Sequence, residues 1–113
     1  MQPDSAKYLF DIQRAARLIA GFCSGRSFED YVADDMLKSA VERQFGIIGE
    51  ALARLAKADP VVVGRVTDYR RIVAFRNILV HGYATVDDRI VWGVVEARLP
   101  GLAESVDALL NGG

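Results

Sequence analysis

The spacing of apolar residues predicts helices along almost the whole chain. The first helix is predicted from about Asp4 to Ala20, because apolar side chains recur there three and four positions apart. Ser27 followed by Asp30 is a typical helix-capping pattern, and no proline interrupts the chain from there to Ala58. This stretch predicts either a short turn followed by a long helix, or one long helix bent near positions 34–35.

The second half of the chain predicts further helices separated by turns. One is predicted from about Tyr69 to Val80, one after Asp88, and a short final one after Pro100 and Gly101. Three β-branched valines at positions 61–63 have no alternating partner and do not predict a sheet. The sequence therefore predicts a single all-α domain over residues 1–113, an up-and-down bundle of four to five helices.

Two glycines interrupt the apolar face of the long helix. Gly46 and Gly49 each cost up to about 1 kcal/mol relative to alanine inside a helix, so we expect a neighbouring helix to pack closely against both. Met36 is assigned to the same apolar face. Glu50 is expected to be either a partly exposed carboxylate or the partner of a nearby arginine.

Charge and cysteine content limit the possible functions. Fourteen basic and fifteen acidic side chains give a net charge of −1, so RNA would have to be bound by a local cluster or by one formed between subunits. Cys23 is the only cysteine and is expected to be buried. Neither a signal peptide nor an apolar run near the ~18 residues of a membrane span is present, so we expect a cytoplasmic protein with no membrane partner.

The candidate chemistry lies in the segment Arg76-Asn77-Ile78-Leu79-Val80-His81-Gly82-Tyr83, which contains the only histidine. Imidazole titrates near neutrality and can accept or donate a proton. Guanidinium keeps its charge and presents a flat set of donors that matches phosphate oxygens. Arg76 and His81 are therefore candidate catalytic residues for phosphodiester chemistry.

Their spacing raises a geometric question. Side chains five positions apart project about 140° apart on an unbroken helix. We expect Arg76 and His81 to converge if the helix ends near Val80 and His81 turns back at Gly82, or across a dimer axis. The alternative is a histidine at a helix end and a surface arginine, neither of them catalytic. With only one histidine and one cysteine, we expect no metal site. The sequence contains no phosphate-binding loop motif, so we also expect no cofactor.

The motif that contains Arg76, His81 and Tyr83 resembles the R-x4-H-x-Y motif of HEPN-domain proteins, specifically the HepT-like toxins of prokaryotic toxin–antitoxin pairs. Other parts of the chain resemble the same family in order and spacing. Tyr69 stands where tryptophan is commoner in the family. The further matching segments are Ile47-Ile48-Gly49-Glu50-Ala51, Tyr69-Arg70-Arg71-Ile72 and Asp87-Asp88-Arg89-Ile90-Val91-Trp92.

The resemblance implies a metal-independent endoribonuclease that acts as a toxin. His81 would move protons at the ribose 2′-hydroxyl or the leaving 5′-oxygen, and Arg76 would stabilise the phosphorane. The product would be a 2′,3′-cyclic phosphate, and DNA would be inert because it lacks the attacking hydroxyl. The family site forms at a twofold interface, so a homodimer is expected, and dimers could pair into larger assemblies.

The resemblance also implies a partner, a small nucleotidyltransferase antitoxin that transfers AMP onto Tyr83 or acts by occlusion. Asn77 matches a frequent family residue and would either contact substrate or help to fix the end of the helix. A second hypothesis fits the near-neutral charge. In it, the chain is a non-catalytic helical module for dimerisation or binding that serves as partner of the nucleotidyltransferase.

Overall fold

The computed structural model of the chain describes residues 1–81 and 86–112. Within these ranges every regular element is a helix, which confirms the all-α class. Seven helices are present there rather than four or five, because two short ones, of six and four residues, were not predicted. The helices are α1 Pro3–Cys23, α2 Phe28–Ala33, α3 Asp35–Ala58, α4 Pro60–Val63, α5 Tyr69–His81, α6 Asp88–Ala97 and α7 Leu99–Leu110.

Short-range hydrogen bonds of Ser, Asp and backbone groups divide the first half of the chain into helices. The backbone N–H of Asp30 donates to the Ser27 hydroxyl at 3.1 Å, and the backbone N–H of Ser27 donates to the Asp30 carboxylate at 2.9 Å. Asp34 then ends α2 and starts α3, where its carboxylate accepts from the backbone N–H of Leu37 at 3.0 Å. The chain therefore forms a short helix and a long helix that meet at Asp34. This differs from the predicted turn before a long helix and from the predicted single bent helix.

The junction between α3 and α4 is fixed by Asp59. Its carboxylate accepts from the backbone N–H of Val62 at 3.2 Å and from the Ser5 hydroxyl at 2.9 Å. Pro60 suits the first turn of α4 because a residue there needs no N–H. Pro100 does the same in α7, which begins at Leu99, so the predicted break before the final helix is present but lies slightly earlier.

The core lies where α3 packs against α1 and α5, and α7 packs against α1. Tyr31 lies against Trp92 with 5.3 Å between ring centroids, and Phe45 meets Phe75 edge-on at 5.1 Å. Cys23 is buried as expected, and that burial raises the pKa of its thiol. The assignment of Met36 was wrong. Its side chain is 84% exposed, because Leu37 occupies the inward position in the first turn of α3.

None of the helices within residues 1–81 and 86–112 has both the length and the apolar character that crossing a bilayer needs.

Candidate active site

Helix α5 carries both candidate catalytic side chains. It ends at His81, one residue after the predicted end near Val80, so His81 belongs to the last turn of the helix and does not turn back after it. Within one protomer Arg76 and His81 therefore project about 140° apart around the helix axis. Convergence of the two side chains across a dimer axis, the other expectation, stays a prediction.

Arg76 lies in the seam between α5 and α3, directly over Gly49. A Cβ atom added to Gly49 would fall on the Cβ and Cγ of Arg76 and lie 3.2 Å from its Cδ. This confirms the close packing predicted at Gly49. The same prediction was wrong for Gly46, where an added Cβ would meet nothing within 4 Å, because three residues of helix turn that position away from α5.

The guanidinium of Arg76 is held in place but keeps unused donors. Its Nη1 donates to Oδ1 of Asn77 at 3.2 Å. Its Nε is buried and has no hydrogen-bond partner among residues 1–81 and 86–112. Asn77 therefore contacts the Arg76 guanidinium, and the two roles expected for Asn77 stay predictions. A cation oriented in this way can stabilise charge that develops on a bound phosphate.

Arg76 also lines a cleft of about 150 Å³ between α3 and α5. Glu50, Ala53, Arg54 and Lys57 of α3 line the same cleft. Glu50 is exposed and accepts from Nη2 of Arg54 at 3.0 Å, so both descriptions expected for it apply. Arg54 and Lys57 were not among the predicted site residues. Their spacing of four and seven positions from Glu50, which places them on one helix face, is the signal that could have identified them.

His81 occupies a different kind of position, at the exposed end of α5. A histidine in a last turn is favoured by the helix dipole and the unpaired carbonyls. On the helix surface, Asn77 and Val80 lie between the directions of Arg76 and His81. Val80 is 53% exposed, which is high for valine. The predicted site residue Tyr83 lies outside the described residues.

The start of α6 is anchored to α3. Nζ of Lys38 lies 3.3 Å from the Asp88 carboxylate, and Asp87 accepts from the backbone N–H of Arg89 at 2.9 Å. Nearby, burial and the charge of Asp88 raise the pKa of Glu42, while Lys38 opposes the shift. Across the described parts of the chain, His, Cys, Asp and Glu side chains form no group of three that could hold a metal ion.

Comparison with known proteins identifies the family. A model of the family described as Ribonuclease HepT-like matches residues 12–109. The chain belongs to the HepT-like ribonuclease family. The matched range includes α3 and α5, and therefore Gly49, Arg76 and His81, so the resemblance of the motif extends to nearly the whole fold.

Individual relatives are similar over almost their full length. A candidate RNase of Caldanaerobacter subterraneus subsp. tengcongensis is 33% identical over 104 residues, which cover 92% of each chain. The probable ribonuclease HepT of Thermococcus cleftensis is 32% identical over 109 residues, covering 96% of this chain and 98% of the relative. A candidate RNase of Methanocaldococcus jannaschii is 28% identical over 104 residues, covering 92% and 94%. No solved structure matches the chain significantly.

Proposed function

We propose that the protein is a metal-independent endoribonuclease whose active site combines Arg76 of one protomer with His81 of another. The observation that carries this proposal is the position of Arg76 over Gly49, with an oriented guanidinium whose donors are not all used. His81 lies on the same helix at its exposed end. Membership of a ribonuclease family supports RNA as the substrate.

The chemistry follows from the two side chains. One imidazole accepts the proton of a ribose 2′-hydroxyl as the 2′-oxygen attacks phosphorus. The bond from phosphorus to the 5′-oxygen breaks, and that oxygen takes a proton from the second imidazole of a twofold site. The products are a 2′,3′-cyclic phosphate and a 5′-hydroxyl. Arg76 stabilises the extra negative charge of the phosphorane, which in such sites is usually the largest contribution to rate.

The surface of α5 supports a twofold contact. Val80 and Asn77 lie between Arg76 and His81, and Val80 presents an exposed apolar side chain there. If two copies of α5 meet along this surface, the Arg76 side of one faces the His81 side of the other. Such an isologous contact gives a homodimer with two Arg–His sets in one cleft.

The protein is further proposed to be the toxin of a two-gene module, with a small nucleotidyltransferase as antitoxin. The hydroxyl of Tyr83 would attack the α-phosphate of ATP and release pyrophosphate. The resulting AMP ester, two residues from His81, would add bulk and negative charge that repel RNA. Intact-mass analysis after mixing with the partner and ATP should show an AMP adduct, and an adduct that persists in Tyr83→Phe would refute the assignment.

The ribonuclease proposal is tested by incubating a single-stranded RNA oligonucleotide with the protein in EDTA. The wild-type chain should cleave it and leave a 2′,3′-cyclic phosphate. We expect His81→Ala to lower the rate about 10²–10⁴-fold and Arg76→Ala about 10²–10³-fold. An oligonucleotide with 2′-deoxyribose throughout is the control and should stay intact. RNA left whole by correctly folded wild-type protein would exclude the proposal.

A second candidate function is a non-catalytic binding module that partners the nucleotidyltransferase. The net charge of −1 favours it, because no general cationic field attracts RNA. Growth arrest on expression separates the two. Arrest that is relieved by His81→Ala favours the ribonuclease, whereas arrest that is unchanged in this variant favours the binding module.

A further inference from the structure

Most cations of this protein are paired with its own carboxylates. Eight of its fourteen Lys and Arg side chains lie within 4.0 Å of an Asp or Glu oxygen. Within residues 1–81 and 86–112, the remaining six have no such ion pair. These six are Arg14, Arg43, Lys57, Arg65, Arg70 and Arg76. A cation without such a pair can bind a phosphate without losing an internal partner.

The cleft between α3 and α5 contains two of these six cations. Lys57 and Arg76, both without an ion pair in the described part of the chain, line it together. Lys57 lies in the last turn of α3, where the helix dipole favours a cation. It is eight residues from Gly49, the contact point of Arg76, which corresponds to about 12 Å along the helix axis. The positive charge therefore extends from Arg76 along α3 towards its C-terminal end.

Arg54 lies between these two positions on the same side of α3 and completes the line of cations. Its ion pair with Glu50 has side chains 63% and 51% exposed, and pairs that are so exposed to solvent contribute little to stability. A phosphate can therefore replace Glu50 as the partner of Arg54 at little cost. Ala53 projects only a methyl group into the cleft, which leaves room for a sugar–phosphate backbone.

We infer that Arg54 and Lys57 bind RNA phosphates that flank the scissile phosphate held at Arg76, and that Glu50 competes with RNA for Arg54. The inference rests on the proposed ribonuclease function and adds to it the residues that hold the substrate strand. It treats this cleft as the local cluster that a chain of net charge −1 needs in order to bind RNA at all.

The experiment measures binding of a fluorescein-labelled single-stranded RNA to the His81→Ala chain by anisotropy, between 50 and 200 mM salt. We expect Arg54→Gln with Lys57→Gln to weaken binding and to reduce the slope of log K against log salt by about 1.4, which is about 0.7 for each lost phosphate contact. Glu50→Gln should have the opposite effect and tighten binding, a result that a merely structural cleft would not give.

The matched control is Arg14→Gln, an exposed cation of α1 that does not line this cleft. It should leave both affinity and slope unchanged. In the otherwise wild-type chain, Arg54→Gln with Lys57→Gln should raise KM and leave kcat near its original value, since neither side chain touches the reacting atoms.

Two results would overturn the inference. The first is an unchanged salt slope in the Arg54→Gln, Lys57→Gln variant while the wild-type chain cleaves RNA. This result would overturn the inference and leave the ribonuclease proposal standing. A loss of affinity for poly-L-glutamate but not for RNA would assign the cleft to an acidic protein surface instead. Conversely, RNA binding that depends on Arg54 and Lys57 without any cleavage would support these two residues as phosphate-binding residues, and would refute the ribonuclease proposal and with it the scissile phosphate at Arg76.

Discussion

Arg76 and His81 lie on one helix but in very different surroundings. Arg76 is partly buried, and its Cβ and Cγ pack on Gly49. Its Nη1 donates to Oδ1 of Asn77 at 3.2 Å. His81 is exposed at the last turn of α5. Arg76 is therefore positioned by contacts within its own chain, whereas no such contact to His81 is found among residues 1–81 and 86–112. A partner protomer and the bound substrate are the two proposed sources of contacts to His81.

The largest expected effect comes from separating the proposed protomers. In Val80→Glu, an unpaired carboxylate would be placed on the surface between Arg76 and His81, where burial in a contact is costly. We expect a monomer in analytical ultracentrifugation and a loss of RNA cleavage of about 100-fold, since small misplacements of reacting groups have effects of that size.

Val61→Glu is the matched control for this change. Val61 is 71% exposed on α4, so the same substitution there should leave both molecular mass and cleavage as in the wild type. A Val80→Glu protein that keeps wild-type mass and rate would show that His81 needs no second protomer.

The next largest effect tests the seam that positions Arg76. In Gly49→Ala, the new methyl group would overlap the Cβ and Cγ of Arg76, which lie too close to the backbone to move aside. We expect α3 and α5 to separate, with a loss of about 1–3 kcal/mol in the free energy of unfolding. Urea denaturation measures this loss, and the cleavage rate should fall with it.

Gly46→Ala is the corresponding control in the same helix. Nothing lies within 4 Å of its added Cβ, so the change should raise the free energy of unfolding by up to about 1 kcal/mol through helix propensity alone. If both glycine variants change stability in the same direction, Gly49 is not the contact that positions Arg76.

A smaller effect is expected away from both side chains. The Tyr31 ring is buried against Trp92, and its hydroxyl has no hydrogen-bond partner among residues 1–81 and 86–112. Tyr31→Phe removes a buried unpaired hydroxyl, so we expect the free energy of unfolding, measured by thermal unfolding, to rise by about 1 kcal/mol. The rate of RNA cleavage should be unchanged. A loss of similar size would mean that the hydroxyl has a partner.

The smallest effect depends on pH. Burial and Asp88 raise the pKa of Glu42 above its ordinary value of 4.5, so the folded protein binds this proton more tightly than the unfolded chain does. The charged form therefore destabilises the fold above the raised pKa, and the penalty disappears below pH 4.5. Glu42→Gln should raise Tm slightly at pH 7 and leave it unchanged at pH 4. Equal shifts at both values would contradict this assignment.

The parts of the fold set by local interactions were predictable from sequence. The Ser27–Asp30 capping box and the end of α3 at Asp59 depend on residues within one turn of each other. The distinction between Gly46 and Gly49 was not predictable, because it depends on which face of α3 meets α5. The end of α5 was missed by one residue, which is a matter of about one backbone hydrogen bond.

The candidate site was predicted only in part for the same reason. Arg76 and His81 are marked by their chemistry and by the spacing of a known motif. Arg54 and Lys57 look like ordinary surface residues of α3 until the fold brings Arg76 beside them. Their spacing from Glu50 indicates that the three residues share one helix face, but only the tertiary contact between α3 and α5 shows that this face meets Arg76.

The pairing of most cations with internal carboxylates also has a consequence for turnover. An enzyme that makes only a few contacts with the phosphates of its substrate binds the cleaved fragments weakly. We therefore expect departure of the fragments to be quick and multiple rounds of cutting to proceed without accumulation of bound product. For the same reason we expect the protein to bind duplex nucleic acid and RNA other than its substrate only weakly.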